Sequence, residues 1–176
     1  MKTKLLTICL LLFTTQVFAS DFEYEKGVDE FDGSTKQILY KSQYYPKKNS
    51  KFPIQLFQSD NEVKEITAIF GVIKYEDDKP MYYLYIKTKS ENWNILNAKS
   101  AKVLLDGKRW NKHKVDIPVG KVDTDISEVV VLEGHAFYYY KKDFKKLFKA
   151  KTFKAKVGSL IYSIDLSKVD FTKFQL

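Results

Sequence analysis

Catalysis needs groups that exchange protons or attack, held close to one another. The chain carries two histidines, His113 and His135, on separate predicted strands with no motif around either. An isolated histidine in such a setting reads as a surface or core-edge residue. No Gly-x-Ser-x-Gly elbow, His-Glu-x-x-His pair, phosphate loop or Gly-x-Gly-x-x-Gly run occurs. Paired carboxylates can hydrolyse without a motif, and Asp77-Asp78 and Asp123-Thr124-Asp125 are the candidates. Both fall in predicted turns, where acids commonly solvate the backbone. Asp123, Asp125 and Glu128 also begin to resemble a calcium loop. Counted from Asp123, however, Ser127 stands where the third acid belongs, no glycine follows it, and the twelfth position is Gly134 rather than glutamate. The only cysteine, Cys9, precedes the predicted mature chain, which therefore has neither a disulfide nor a thiolate zinc site. No catalytic residue, metal or cofactor is predicted.

Charge is the more informative chemistry. From Ser20 to Ala98 there are 11 basic and 13 acidic residues, whereas from Lys99 to Leu176 there are 17 basic and 9 acidic. The excess concentrates at Lys141, Lys142, Lys145, Lys146, Lys149, Lys151, Lys154 and Lys156, opposed in that window by Asp143 alone. If the helix and strand that carry them are neighbours, these lysines form one basic surface able to attract phosphate, carboxylate or an acidic protein. The competing reading is a solvated face. Lysines outnumber arginines 29 to 1, a bias that AT-rich codon usage produces without any ligand. The acidic stretch Asp21, Glu23, Glu25, Asp29, Glu30 and Asp32 is a second competitor, since it would neutralise the surface if it lay across it. Nucleic-acid recognition is disfavoured because base reading leans on arginine forks and Arg109 is the only arginine. Tyrosine runs at Tyr44-Tyr45, Tyr82-Tyr83-Leu84-Tyr85 and Tyr138-Tyr139-Tyr140 split between the two faces of strands. An exposed remainder, with Tyr82 and Tyr139 as candidates, would suit a protein or glycan contact.

The elements that position these groups follow from the patterning. Lys2 and Lys4, the apolar run Leu5 to Phe13 and the small residues of Val17-Phe18-Ala19 read as a secretory leader cleaved before Ser20. The run is too short to span a ~30 Å hydrocarbon layer, which takes about 20 helical residues, so no transmembrane segment is predicted. Residues 20–176 then form a single β-rich domain. Lys64 to Tyr75 is apolar on both faces, with Ile66, Phe70 and Val72 opposite Ile69, Ile73 and Tyr75, and predicts a central strand covered on two sides. Asp77 to Pro80 turns it into Met81 to Thr88. Asp106-Gly107 marks a tight hairpin. Ile126 to Leu132 and Ala136 to Tyr140 read as two strands around Glu133-Gly134, and Phe153 to Val157 turns at Gly158-Ser159 into Leu160 to Leu166. Two short helices complete the pattern. One spans Asp143 to Ala150, capped by Asp143 with Phe144, Leu147 and Phe148 on one stripe. The other opens at Ser167-Lys168-Val169-Asp170 and docks through Phe171 and Phe174. The expected fold is mainly β, an antiparallel sandwich with two short C-terminal helices, with α+β as the alternative.

A strand, Asp106-Gly107-Lys108, a long middle, a short helix, Ala150-Lys151 and a paired strand ending at Leu166 together resemble exported bacterial β-rich proteins of unknown function, over Trp93 to Phe174. The resemblance implies a fold and no activity. The expected function is non-enzymatic binding in the periplasm or outside the cell, with an envelope protein or an anionic envelope component as partner. The alternatives are a carboxylate-dependent hydrolase and a structural subunit of an envelope assembly.

Overall fold

The computed structural model describes residues 22–28, 34–44, 53–75, 79–96, 98–117, 120–125 and 128–176. The strands in chain order are β1 Glu23–Val28, β2 Thr35–Tyr44, β3 Ile54–Gln58, β4 Val63–Lys74, β5 Met81–Ser90 and β6 Ala101–Leu105. They continue with β7 Lys108–Arg109, β8 Lys114–Asp116, β9 Lys121–Asp125, β10 Glu128–Tyr139, β11 Thr152–Val157 and β12 Leu160–Asp165. Among the described residues one α-helix, α1 (Lys141–Leu147), lies between β10 and β11. The fold is mainly β. The larger sheet runs β1-β2-β4-β5-β10, with β8 and β9 both pairing to β10, and the smaller runs β3-β12-β11-β6-β7. Every pairing is antiparallel.

Period-two patterning puts one apolar face of each sheet against the other. Ile66 and Phe70 of β4, Leu84 and Ile86 of β5, and Phe137 of β10 are fully buried from one side. Phe153 and Val157 of β11 with Leu160, Tyr162 and Ile164 of β12 are fully buried from the other. The sheets meet directly where Phe137 and Phe153 pack edge to face at 5.4 Å. Each such side chain contributes about 1.5–3 kcal/mol by leaving water. Glu133 is buried four residues before Phe137 on β10 and accepts the Asn94 and Ile95 backbone N–H groups, both at 2.7 Å. It pins residues 91–96 across one end of the sandwich, where Ser159 N–H also donates to the Asn94 carbonyl.

Several expectations need correction. β4 is central, but of the residues expected on its two faces Ile66, Phe70 and Val72 are buried, while Ile69 and Ile73 are half-buried and Tyr75, just past the strand, is exposed. The β5 tyrosines lie across the neighbouring strands, Tyr83 over Gly71 of β4 and Tyr85 over Gly134 of β10. That arrangement explains why Glu133-Gly134 does not break β10 into two strands. A Cβ at Gly134 would fall 2.1 Å from Tyr85 Oη, so this glycine accommodates a ring within a continuous strand. The first helix begins two residues before Asp143, and its N-cap Tyr140 supplies no side-chain bond. The terminal helix is replaced by two 3₁₀ turns, Leu166–Lys168 and Phe171–Lys173, whose first N–H groups are met by Asp165 and Asp170 rather than by Ser167. Phe171 and Phe174 do dock: Phe171 stacks on Phe148 at 4.6 Å and meets Phe70 edge-on at 5.1 Å. The Asp106-Gly107 hairpin forms as expected, with φ of 49° and 76° at the two turn residues. Asp77 and Asp78 lie outside the described residues.

Candidate functional site

After the β6–β7 hairpin the chain crosses from the smaller sheet to the larger through residues 110–113. Trp110 N–H donates to the Val103 carbonyl at 2.9 Å, which holds the indole inward. Its ring stacks on Tyr139 at 5.2 Å with the planes 12° apart. His113 precedes β8 rather than lying within a strand, and packs edge to face on Phe137 at 5.4 Å. Its partial burial lowers its proton affinity below that of a free imidazole. On the far side of Tyr139, α1 sets Phe144 into the end of the sandwich, 5.5 Å from Tyr82 and 5.7 Å from Phe174. Between the crossing segment and the first turns of α1 lies a cleft of about 610 Å³. Asn111, Lys112, His113 and Lys114 form one wall, Lys142, Asp143 and Lys146 the other, and Tyr138, Tyr139 and Tyr140 join them. A second recess of about 520 Å³ shares Tyr139, Tyr140 and Lys142 and adds Lys79, Tyr82 and Lys141, so one groove passes both sides of the exposed Tyr140.

The electrostatics follow from how the charges along the groove are paired. Asp143, expected at the helix cap, is buried in the first turn and accepts a 2.6 Å bond from Lys146 Nζ. That pair is internally balanced. Among the described residues, Lys79, Lys112, Lys114, Lys141 and Lys142 give the groove an excess of positive charge. It is offset in part by Asp116, which lies two residues from Lys114 on β8 and close enough to Tyr138 to add to the rise in proton affinity that burial causes there. Burial pushes the Tyr139 hydroxyl well above the usual phenol range, so it stays a neutral donor and acceptor. Such a groove suits binding of an anion.

The lysines singled out from the sequence do not form one surface. Lys141, Lys142 and Lys146 border the groove. Lys145 and Lys149 flank a separate recess beside Phe148, Val169 and Phe174. Lys154 and Lys156 project from the outer face of the smaller sheet, where Lys154 Nζ sits 4.2 Å from the centre of the exposed Phe57 ring. Lys151 is exposed just before β11 and donates its N–H to Asp106 at 2.8 Å. Tyr82 and Tyr139 are core residues, 5% and 7% exposed, rather than surface platforms, because both point into the sandwich and only border the groove. Of the acidic stretch, Glu23 and Glu25 lie on β1 at the sheet edge remote from β10, and Asp21, Asp29, Glu30 and Asp32 lie outside the described residues. Asp123 and Asp125 belong to strand β9 instead of a turn. Residue patterning missed Lys112 and Lys114, which flank His113 and reach the groove only because β8 pairs with the end of β10.

No protein-family model matches the chain, and no curated protein is significantly similar to it. Among the described residues no group of three histidine, cysteine or acidic side chains is placed to hold a metal ion. No helix among them is long and apolar enough to cross a membrane.

Proposed function

We propose that this is an exported, non-enzymatic binding protein of the bacterial envelope that engages an anionic envelope component, or an acidic surface of an envelope protein, through the groove around Tyr140. The observation that carries the reading is the convergence of Lys79, Lys112, Lys114, Lys141 and Lys142 on that groove, with the nearby Asp143 already neutralised by Lys146. These residues come from three separate parts of the chain, so their meeting is a property of the fold and not of one lysine-rich segment. The leader pattern at Lys2 to Ala19 supports export. His135 is buried and hydrogen-bonded to Tyr162.

Capture from an envelope fraction at low and high salt tests this. Unmodified protein is compared with a Lys112→Glu/Lys114→Glu/Lys142→Glu variant of unchanged melting temperature. Screening shortens from a Debye length of about 10 Å at 0.1 M salt to about 3 Å at 1 M. The expected result is a partner lost both at high salt and on charge reversal. A partner retained under both conditions overturns the groove as the binding surface.

A further inference from the structure

Among the described residues, the most exposed large hydrophobic side chain stands in the middle of the groove. Tyr140 is 79% exposed and borders both the recess of about 610 Å³ and that of about 520 Å³. Tyrosine is a poor choice for this position. Tyr140 is the N-cap of α1, where serine, asparagine or aspartate would accept an N–H of the first turn, and its side chain makes no such bond. The backbone beneath the ring is nevertheless fixed. Asp143 and Phe144 N–H both donate to the Tyr140 carbonyl at 2.9 Å. Tyr139, just before it, is held between Trp110 at 5.2 Å and Phe144 at 6.1 Å. A ring that forgoes the cap, stays in solvent and is rigidly mounted matches an interface anchor rather than a core residue. Such departures from local sequence preference are expected at functional positions.

We propose that Tyr140 anchors a protein-docking surface whose partner is an acidic polypeptide segment, with apolar side chains of that segment entering the recesses on either side of the ring. The inference rests on the anion-binding reading of the groove and commits it to a protein. The walls supply both halves of the match. Pro80, Tyr82 and Tyr139 give the second recess apolar lining, and Lys79, Lys141 and Lys142 give it charge. Lys112 and Lys114 charge the first recess, and Asp116 offsets only part of the total. An aromatic centre within a charged surround is the layout of a protein interface. A polyanion held by charge alone would use neither the recesses nor the ring. A bilayer is flat and is entered by an apolar patch. The exposed Phe57 lies on the smaller sheet, and Val122 and Val129 lie at the other end of β10, so they add nothing to such a patch. A ring with a concave recess on each side matches the side chains of a polypeptide instead.

Three probes test this at constant ionic strength: a glutamate–tyrosine copolymer, poly-glutamate of matched charge, and phosphatidylglycerol vesicles. The immobilised protein should bind the copolymer about ten-fold more tightly than poly-glutamate. Tyr140→Ser should abolish that advantage while the melting temperature holds or rises, because serine is the better cap. Binding lost with stability kept is the result that a structural role for Tyr140 does not give. Equal binding of the two polymers, an advantage that survives Tyr140→Ser, or a melting temperature lowered by Tyr140→Ser overturns the anchor. Vesicle binding that exceeds both polymers and disappears in Tyr140→Ser assigns the ring to a membrane surface and overturns it too. If the anchor falls while poly-glutamate binding and envelope capture still depend on Lys112, Lys114 and Lys142, the groove reading stands. If reversing the charge of those lysines changes neither, the groove reading itself falls.

Discussion

His135 and His113 begin as equivalent residues in the sequence and end with opposite roles. His135 is 1% exposed, shares a 2.8 Å hydrogen bond with Tyr162 Oη, and burial drives its pKa down to about 3. The unfolded chain, with an ordinary imidazole near 6.5, binds this proton more readily than the folded one. Stability is therefore fully present above about pH 6.5 and is lost as the pH falls from there towards 3, with a limiting slope of about 1.4 kcal/mol per pH unit for one group. Urea unfolding at pH 7, 5.5 and 4.5 should show that decline, and His135→Gln should flatten it. An equal decline in the variant would place the acid sensitivity elsewhere. Neither role was legible from the residues flanking the histidines. Lys112 and Lys114 say nothing of a cleft until β8 has found β10, and nothing around His135 announces Tyr162, which lies 27 positions further along the chain.

At the scale of elements, turn chemistry was the most legible feature and helix ends the least. Asp106-Gly107 specifies its hairpin because both residues tolerate the left-handed backbone the turn requires. The sequence does not disclose the second task of Asp106, whose carboxylate accepts the Lys151 and Thr152 N–H groups at 2.8 and 2.9 Å. That one side chain ties the hairpin to the start of β11, so Asp106→Ala should cost about 1–2 kcal/mol. Asp106→Asn, which keeps the turn preference and one carbonyl oxygen, should cost less. Urea midpoints for the two variants and the unmodified protein check this, and an Asp106→Ala midpoint equal to that of the unmodified protein would make the cross-link energetically silent. Asp143 was the natural cap of α1 by type and position. It forms an ion pair in the first turn because β10 delivers the chain into the helix with its cap three residues earlier, at Tyr140.

At the scale of the molecule, the two ends of the sandwich are closed by different means. Glu133 holds residues 91–96 across one end through two backbone N–H groups. The end that bears the groove is sealed by the aromatic layer of Phe144, Phe148, Phe171 and Phe174, which lies against Phe70 and Tyr82. Phe171 bridges the larger sheet to α1, and Phe171→Ala should cost about 3–5 kcal/mol. In a chain of this size that is a fall of about 10 °C in Tm. Thermal melting followed by circular dichroism measures it; a loss below about 1 kcal/mol would show that the terminal turns are peripheral.

The sequence alone determined the strand-rich class, the main hairpins, the inward-facing apolar sets and the lysine excess of the second half, because each depends on periodicity or turn preference within a few residues. Tertiary structure decided which lysines share a surface. Lys154 and Lys156 belong to one face and Lys142 to the groove, although all sit within sixteen consecutive residues, while Lys79 and Lys112 join Lys142 from distant parts of the chain. It also turned Tyr82 and Tyr139 inward and placed Trp110, His113 and Tyr139 together. Strand alternation sets two possible faces for every side chain, and only the pairing of sheet with sheet chooses between them and brings the chosen residues within reach.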